Sequence, residues 1–467
     1  MTRINTNVSS LISQRTLRTN QEGLNTSLTR LSTGLKINTG ADNPAGLIAS
    51  ENLRAEKSGI LQAIDNGERA SNIIGTAEGG LSEVSSLLNE LQGLVSQSAN
   101  TGGLSKEEID ANQLQIDSIL ETVNRLASAT SFQGQKLLDG SFDYTTSSAD
   151  ASAVQNVRVN AARIPDGGQN NVVVQVTNSA TQGVLSNAFT SSALSNTATI
   201  EVKGTTGTEQ LSFGSGTALS AVVAAVNAVS VSTGVTASVG SVATKIVLRS
   251  EEFGSDEVVS AKTISGTFFD AQDTGTDAEV QVNGAAATTD GLDVIFRNSN
   301  LDVQFRLTED LNAGNAKTFA VTGGGATFAL GSKVTETDKA GIGLASVSTG
   351  SLGNDVDGFL SSLASGGANQ VTSKNLVEAQ RIIDDSIKQV SQLRGRLGAF
   401  QKFTIGSTVS SLGVAYENSS AAESAIRDTD FAEETAKLTR QQILSQSSTN
   451  VLSQANQSPQ LALQLLG

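Results

Sequence analysis

The chain has 467 residues, enough for several domains, and its 46 acidic against 31 basic residues give a formal net charge of −15. This balance argues against a nucleic-acid partner, which would need clustered Lys and Arg. Because the chain contains neither Cys nor His, thiol nucleophiles, Ser-His-Asp triads and the usual zinc sites are excluded. Carboxylate chemistry and Ca²⁺ or Mg²⁺ sites are not excluded by this composition. No motif supports them, and we predict no catalytic residue, no metal ligand and no cofactor.

The sequence also lacks the segments that would direct it into a membrane. No stretch reaches the roughly 18 apolar residues of a membrane-spanning helix, so no membrane partner is expected. The N-terminus has neither the apolar segment nor the small-residue cleavage site of a cleaved secretory signal. The protein is expected either to stay inside the cell or to leave by a route that reads an uncleaved N-terminus.

The N-terminal region predicts long helices, because only three prolines interrupt the whole chain. Its apolar residues share one helical stripe and then repeat every seven residues, the spacing of a helix that packs along another helix. One line of this repeat is Leu17, Leu24 and Leu31, and the second line is Leu28 and Leu35. The residues predicted to pack between subunits in this region are Ile4, Val8, Leu11, Leu17, Leu24, Leu28 and Leu31.

Two further helices are predicted before the composition changes. Asn43 followed by Pro44 indicates the N-cap and first residue of a helix that runs to about residue 100. Ser105 with Glu108 indicates the capping box of the next helix. The later apolar stripe of the first of these helices is Leu81, Val84, Leu88, Leu91 and Val95.

The middle of the chain is predicted to be β-rich. Short runs such as NVVVQV and LDVQFRL alternate with Gly, Asn and Asp, as in antiparallel sheets with tight turns. The run ALSAVVAAVNAVS predicts one short helix among the strands. We interpret 146–370 as an insertion of two small domains, 146–270 and 271–370.

Helix returns near residue 371, and its predicted core positions repeat every seven residues: Leu376, Ile383, Val390 and Leu397. Asp430 and Glu433 predict a capping box that starts a last helix. The packing residues predicted from there to the end of the chain are Leu438, Ile443, Leu444, Val451, Leu452, Leu461, Leu463, Leu465 and Leu466.

Neither terminal set of helices can bury its apolar stripe alone. We therefore predict an α+β fold in which the first 35 residues pair with the last 40, and 45–130 pair with 371–420, as a helical rod from which the β-rich middle projects. A monomeric coiled-coil rod is the alternative. A two-helix pair leaves outer apolar residues exposed, which favours many identical copies packed side by side.

At this point the sequence resembles bacterial flagellin, the filament subunit. The motifs that carry the resemblance cover roughly 1–145 and 371–467. They include INTNVSSLISQRTL, RLSTGLKINTGADNPAGLIASENLRAE, SFQGQKLLDG, RGRLGAFQKF and AIRDTDFAEETAKLTRQQILSQSSTNVLSQANQSPQLALQLL.

The resemblance implies an extracellular, tubular homo-polymer built in shells. Residues 1–40 with 426–467 would form the innermost coiled coil, 41–145 with 371–425 the helical rod, and 146–370 the outward face. It also implies export through the flagellar type III apparatus and a chaperone on the C-terminal helix before export. Filament cap and hook-junction proteins would be further partners.

Two other functions remain open at this stage. A hook–filament junction protein shares the terminal helices, and a surface adhesin could carry its binding region on a helical stalk. An enzyme is the least expected, given the missing side chains. The run GNDVDGF resembles part of a calcium-binding loop, but both end ligands are absent.

The resemblance also implies a lateral contact patch on the second helix, formed by Leu88, Glu90 and Leu94. In flagellins that an animal innate immune receptor recognises, an arginine stands two residues after the leucine matched by Leu88, where this chain has Glu90. Because a charge reversal at a contact costs binding, we expect weak or absent receptor activation by the purified monomer. A reporter-cell assay measures it, and potent stimulation would contradict the prediction.

Overall fold

The computed structural model describes residues 6–100, 102–147, 152–165, 168–309, 311, 314–373 and 375–464, with side chains only to 457 in the last range. These residues fall into two units. The terminal unit comprises 1–69, 329–338 and 405–467, and the central unit comprises 70–328 and 339–404.

Long helices occupy both ends of the chain, as predicted. The α-helices are α1 (Val8–Thr33), α2 (Pro44–Ser98), α3 (Lys106–Ala129), α4 (Leu219–Ala228), α5 (Ser230–Thr233), α6 (Leu376–Ala399), α7 (Ser407–Arg427) and α8 (Phe431–Gln464). A π-helical segment, Phe400–Gly406, joins α6 to α7. Short 3-10 turns are Glu336–Asp338, Leu360–Leu363 and Val371–Ser373.

The strands lie between α3 and α6. They are β1 (Ser131–Phe132), β2 (Gln135–Lys136), β3 (Tyr144–Ser147), β4 (Val154–Ala162), β5 (Asn170–Asn178), β6 (Val184–Ala188), β7 (Ala198–Lys203), β8 (Thr208–Phe213), β9 (Val235–Val239), β10 (Lys245–Ser250), β11 (Val258–Gly266), β12 (Ala271–Thr274), β13 (Glu279–Val282), β14 (Ala285–Ala286), β15 (Thr288–Asp290), β16 (Asp293–Arg297), β17 (Leu301–Leu307), β18 (Ala316–Gly324), β19 (Ala326–Ala329), β20 (Lys339–Ile342), β21 (Gly353–Asn354) and β22 (Gly358–Phe359). The predicted short helix is α4, which lies among these strands.

The helix starts follow the predicted capping residues. The Asn43 side chain accepts a hydrogen bond from Gly46 N at 2.9 Å, and Ser105 forms the reciprocal capping box with Glu108. Asp430 caps α8 by accepting from Glu433 N at 3.2 Å. The side chain of Glu433 bonds to Lys437 of the next turn instead, so that capping box is only half formed.

In the terminal unit, α1 and α8 run antiparallel and are tied at one end by the backbone. Leu35 forms an antiparallel bridge with Asp428. Lys36 N donates to Arg427 O at 2.6 Å, beside this bridge. The predicted pairing of the first helix with the last helix is therefore present in a single chain.

The first part of α2, residues 44–69, packs against α7 in the same unit. Lys57 Nζ lies 2.8 Å from Glu423 Oε2 and 5.4 Å from the centre of the Tyr416 ring. A Cβ on Gly59 would lie 2.5 Å from Ser332 O. Only glycine therefore allows segment 329–338 to approach α2 this closely.

The central unit has a helical core made by α2 beyond residue 69, α3 and α6. Gln92 bonds to Asp384 at 2.8 Å and Arg394 to Glu78 at 2.8 Å, so α2 lies along α6 as predicted. The buried apolar residues of these helices are Ala70, Ile74, Ala77, Leu81, Val84, Leu88, Leu91, Leu94, Val95, Ile116, Ile119, Leu120, Val123, Ala127, Ala379, Ile382, Ile383, Val390, Leu393 and Leu397.

Two β-rich cores follow in the central unit, one inserted into the other. The first core joins a five-stranded sheet, β14-β13-β5-β18-β3, to a four-stranded sheet, β15-β16-β17-β4. The second core joins the sheets β12-β11-β7-β8 and β6-β10-β9 to α4. The chain enters and leaves the second core at Thr181 and Thr276, which bridge each other and whose hydroxyls lie 2.8 Å apart.

This nesting corrects the predicted division of the middle region into 146–270 and 271–370. Because β5 pairs with both β13 and β18, and β4 with β17, residues on the two sides of position 270 share one core. The composition does not change at the true boundaries, so sequence patterning alone could not locate them.

The nesting predicts which fragment folds by itself. Fragment 181–276 contains the complete second core, and we expect it to unfold cooperatively in thermal circular dichroism. Fragment 146–270 is the matched control. It contains β4 and β5 but lacks the strands that pair with them, so we expect no cooperative transition of the first core. Two successive transitions in fragment 146–270, or none in 181–276, would contradict the nested arrangement.

Candidate functional site: the paired terminal helices

The surfaces of α1 and α8 that face each other follow heptad spacing, but polar residues fill eight of the fourteen positions. We call these two rows the seam. On α1 the seam is Ser10, Ser13, Leu17, Asn20, Leu24, Ser27 and Leu31, all buried or half-buried. On α8 it is Glu434, Leu438, Gln441, Ser445, Ser448, Leu452 and Ala455. Such spacing is that of a coiled coil, whereas the composition is much more polar than an ordinary coiled-coil interface.

Leu28 and Leu35 do not form the second line of the seam, and the packing of Leu28 between subunits stays a prediction. Leu28 is 47% exposed, and the positions expected for it and for Leu35 belong instead to Ser13, Asn20 and Ser27. The seven-residue repeat was identified correctly through Leu17, Leu24 and Leu31. A search for apolar residues alone could not find a line made of serine and asparagine.

Hydrogen bonds between side chains hold the seam together. Ser10 Oγ donates to Asn456 Oδ1 at 2.7 Å, and Asn20 Nδ2 donates to Ser448 Oγ at 2.7 Å. A Cβ on Gly23 would lie 3.0 Å from the side chain of Gln441, so the two helices approach closely at mid-length. Buried polar partners of this kind fix the register of two helices better than leucines do.

Charged groups at one end of the seam are incompletely paired. Glu434 is buried, and its carboxylate lies 3.9 Å from Arg30 and 3.7 Å from Lys437. The hydrogen bond from Lys437 lowers the pKa of Glu433 and raises the pKa of Lys437. Among the described residues, Glu434 Oε1, Arg30 Nε and Gln441 Oε1 are buried without a hydrogen-bond partner. Each such atom costs roughly 1–3 kcal/mol, so the seam contributes little net stability.

A second set of apolar side chains on both helices lies outside the seam and is exposed. Leu11 is 57% exposed on α1, and Ile443 is 64% exposed on α8. The predicted packing residues that are exposed in this way are Val8, Leu11, Leu28, Ile443, Leu444 and Val451. Ile12 and Phe431 share this exposure, and sequence reasoning missed them although both are large apolar residues within the repeat region.

The remaining predicted packing residues divide into two groups. Leu17, Leu24, Leu31, Leu438 and Leu452 lie half-buried in the seam. Ile4, Leu465 and Leu466, and the side chains of Leu461 and Leu463, lie outside the described residues.

The predicted patch on α2 does not form a continuous surface. Leu88 and Leu94 are buried in the helical core of the central unit, and only Glu90 is exposed. The helix face that carries both leucines packs against the core. The sequence could have predicted this for Leu88, because Leu88 belongs to the predicted apolar stripe of α2. Of the predicted core positions on α6, Ile383, Val390 and Leu397 are buried and Leu376 is half-buried.

The described ranges offer neither a cluster of metal ligands nor a membrane-spanning helix. No cluster of three or more acidic side chains there could hold a metal ion. No helix in the described part of the chain is long and apolar enough to cross a membrane. The chemistry that the described residues offer at the terminal helices is thus an array of exposed apolar side chains beside a polar, hydrogen-bonded seam.

Comparisons with known proteins match both ends and almost the whole length of the chain. The family described as bacterial flagellin N-terminal helical region matches residues 4–143, the C-terminal helical region matches 380–466, and the flagellin hook IN motif matches 199–252.

Flagellin D of Vibrio anguillarum is 30% identical over 464 residues, covering 99% of each chain. Flagellin B of Vibrio cholerae is 29% identical with the same coverage. A solved structure of FliC from Burkholderia pseudomallei is 18% identical over 71% of this chain and 99% of that chain, at a TM-score of 0.25.

The polar seam predicts that one exchange stabilises the helix pair in the monomer. Asn20→Leu with Ser448→Ala removes both hydrogen-bond partners and adds apolar burial, so we expect the terminal helices to gain about 1–2 kcal/mol. Hydrogen exchange of α1 amides in the purified monomer measures this gain as slower exchange. The control Thr19→Leu with Ser448→Ala adds a leucine at an exposed position of α1 and should give no slowing. Equal effects in the two variants would contradict the seam.

Proposed function

This chain belongs to the bacterial flagellin family and is a structural subunit of the flagellar filament, and on that premise we propose that its paired terminal helices are the surface through which copies polymerise. The observation that carries the proposal is the set of apolar side chains that the pair leaves exposed. The contact between the two helices mixes polar residues with leucines, while apolar side chains such as Leu11 and Ile443 face outward.

This arrangement makes association energetically favourable. Complete burial of a Val, Leu or Ile side chain stabilises by roughly 1.5–3 kcal/mol, and both helices offer several that are about half exposed. Within one chain the seam contributes little stability, because it is polar and some of its buried atoms lack a hydrogen-bond partner. Most of the stability of α1 and α8 then comes from neighbouring subunits, so ordering of these helices and assembly are coupled.

The leucines at the C-terminus extend the same surface in this proposal. Leu461, Leu463, Leu465 and Leu466 are buried by neighbouring copies in the filament. Before assembly, an export chaperone covers the C-terminal helix. These contacts would account for apolar residues at a chain end, where polar residues are usual.

The wider assembly follows the shell arrangement expected for the family. Residues 1–40 with 426–467 form the innermost layer, 41–145 with 371–425 the surrounding helical layer, and 146–370 the face toward the medium. The subunit leaves the cell unfolded through the flagellar type III apparatus, and cap and hook-junction proteins meet the filament ends. The lack of Cys suits a chain that is threaded unfolded through a channel.

A charge on the exposed apolar face tests the polymerisation surface. We expect Ile443→Glu to abolish filament formation, because assembly would bury an unpaired carboxylate. Electron microscopy of the purified chain after addition of a precipitating salt or sheared filament seeds measures the outcome. Ala271→Glu places the same charge on an exposed residue of β12 and should assemble normally.

A truncation tests the terminal leucines separately. Removal of residues 456–467 should prevent filament growth while leaving the melting transition of the central unit unchanged in circular dichroism. Normal tubular filaments from either Ile443→Glu or the truncated chain would refute this packing surface. Failure of the unaltered chain to polymerise, with its helices folded, would favour a junction or accessory role.

A further inference from the structure

A loop of the second core lies at the point where the chain passes between the two β-rich cores. Residues 251–257 form this loop and connect β10 to β11. Gly254 N donates to Thr181 O at 3.2 Å, and Gly275 N donates to Glu257 O at 2.9 Å. The loop is therefore bonded both to the segment that enters the second core and to the segment that leaves it.

Asp277, the residue that follows the crossing at Thr276, binds this loop to the first core. Its Oδ1 accepts from Ser255 N at 2.8 Å, and its Oδ2 accepts from the Ser255 hydroxyl at 2.7 Å. Oδ1 also accepts at 2.9 Å from the backbone N–H of Gly291, in the turn between β15 and β16. These hydrogen bonds, that of the Ser255 hydroxyl first, hold the pKa of Asp277 below its ordinary value, so the carboxylate is charged at neutral pH. Hydrogen bonds to a charged carboxylate are stronger than those between neutral groups.

The residues before Ser255 pack directly on the first core, and we call residues 253–255 the docking segment. The ring of Phe253 is half-buried against apolar residues of the first core. Gly254 and Gly291 are buried and have positive φ angles of 137° and 58°. A Cβ on Gly254 would lie 3.0 Å from Gly291 Cα, and a Cβ on Gly291 would lie 2.1 Å from Phe253 O. Glycine at both positions therefore lets the two backbones come into contact.

Beyond the docking segment, the loop borders an open cleft. The cleft has a volume of about 510 Å³ and is lined by Glu252 and Glu257 of the loop and by Asp385 and Lys388 of α6. Glu252 also lies 2.6 Å from Arg306 of β17, but the Glu252 side chain is 50% exposed. An exposed ion pair contributes little stability. The docking segment is therefore a stronger attachment than this ion pair.

We propose that the docking segment, held by Asp277, fixes the second core in one orientation on the first core. Domains of one chain usually move relative to each other unless their interface is extensive. The two chain crossings lie side by side, and alone they would allow the second core to rotate about that point. The docking segment adds a further point of attachment, which removes this freedom. The second core is then a rigid arm of the central unit and not a module on a flexible tether.

A distance between two spin labels in the full-length monomer tests this orientation. Because the chain contains no Cys, Ser220→Cys on α4 of the second core and Thr318→Cys on β18 of the first core give one defined pair of labels. Both positions are exposed. We expect double electron–electron resonance to give a narrow distance distribution. High sodium chloride should not widen it, because salt screens exposed ion pairs but leaves the docking segment in place.

Release of the docking segment should widen the distribution. Phe253→Ala with Asp277→Ala removes the apolar and the charged attachment, and we expect the width to increase by about twofold or more because the crossings then act as a hinge. The matched control is Phe213→Ala with Asp273→Ala. Phe213 packs within the second core, and Asp273 accepts there from Val184 N at 2.9 Å. The control should leave the distribution narrow.

A conservative variant guards against loss of folding. Asp277→Asn keeps the size of the side chain but removes its charge, so it should widen the distribution by less than the double variant while the far-UV circular dichroism stays unchanged. A broad distribution in the unaltered chain would overturn the proposal. Equal widths in the unaltered chain, Asp277→Asn and a folded double variant would also overturn it. None of these results would bear on polymerisation, because the second core and the terminal helices belong to different units.

Discussion

The polar seam between α1 and α8 is the constraint on which the rest of the terminal unit depends. Heptad spacing brings the two helices together, and serine and asparagine at six of the fourteen seam positions set their register. Because polar residues occupy much of the seam, apolar residues such as Leu11 and Ile443 remain on the outside. A leucine-rich seam would have given a more stable monomer and a less adhesive surface. If the exposed residues pack between copies as proposed, the polar seam lowers the stability of the single chain while the outer residues stabilise the polymer.

Local patterns in the sequence were sufficient to predict some parts of the fold. Helix starts were readable because a capping side chain acts on the next three residues, as Asn43 and Ser105 do. The core positions of α6 were readable from a repeat of seven. The second line of the seam was not, because Ser13 and Ser27 are polar and carry no apolar signal. Leu94 was assigned to a surface because a family likeness places contacts without showing burial.

The pairing of strands that are distant in the chain could not be predicted from the sequence. The strands themselves were recognisable from their alternation, whereas nothing local records that β5 pairs with β13 and β18. The cavity lined by β4, the segment 343–353 and α6 is a similar case. Arg158, Arg396 and Asp143 are far apart in the chain, and only the folded central unit brings them to one wall. Charged residues that look like ordinary solvated positions in sequence can therefore become partly buried in the fold.

The nested second core also bears on how quickly the central unit can form. The pairing of β5 with β13 joins segments separated by about a hundred residues, and the entropy of closing such a loop slows folding. Once the inserted core has folded, Thr181 and Thr276 are already in contact, although 95 positions apart in sequence. The strands β5 and β13 then pair across a short connection, as in a hairpin. An inserted core that folds early would hold residues 181 and 276 together. The loop that must close before β5 pairs with β13 would then be much shorter.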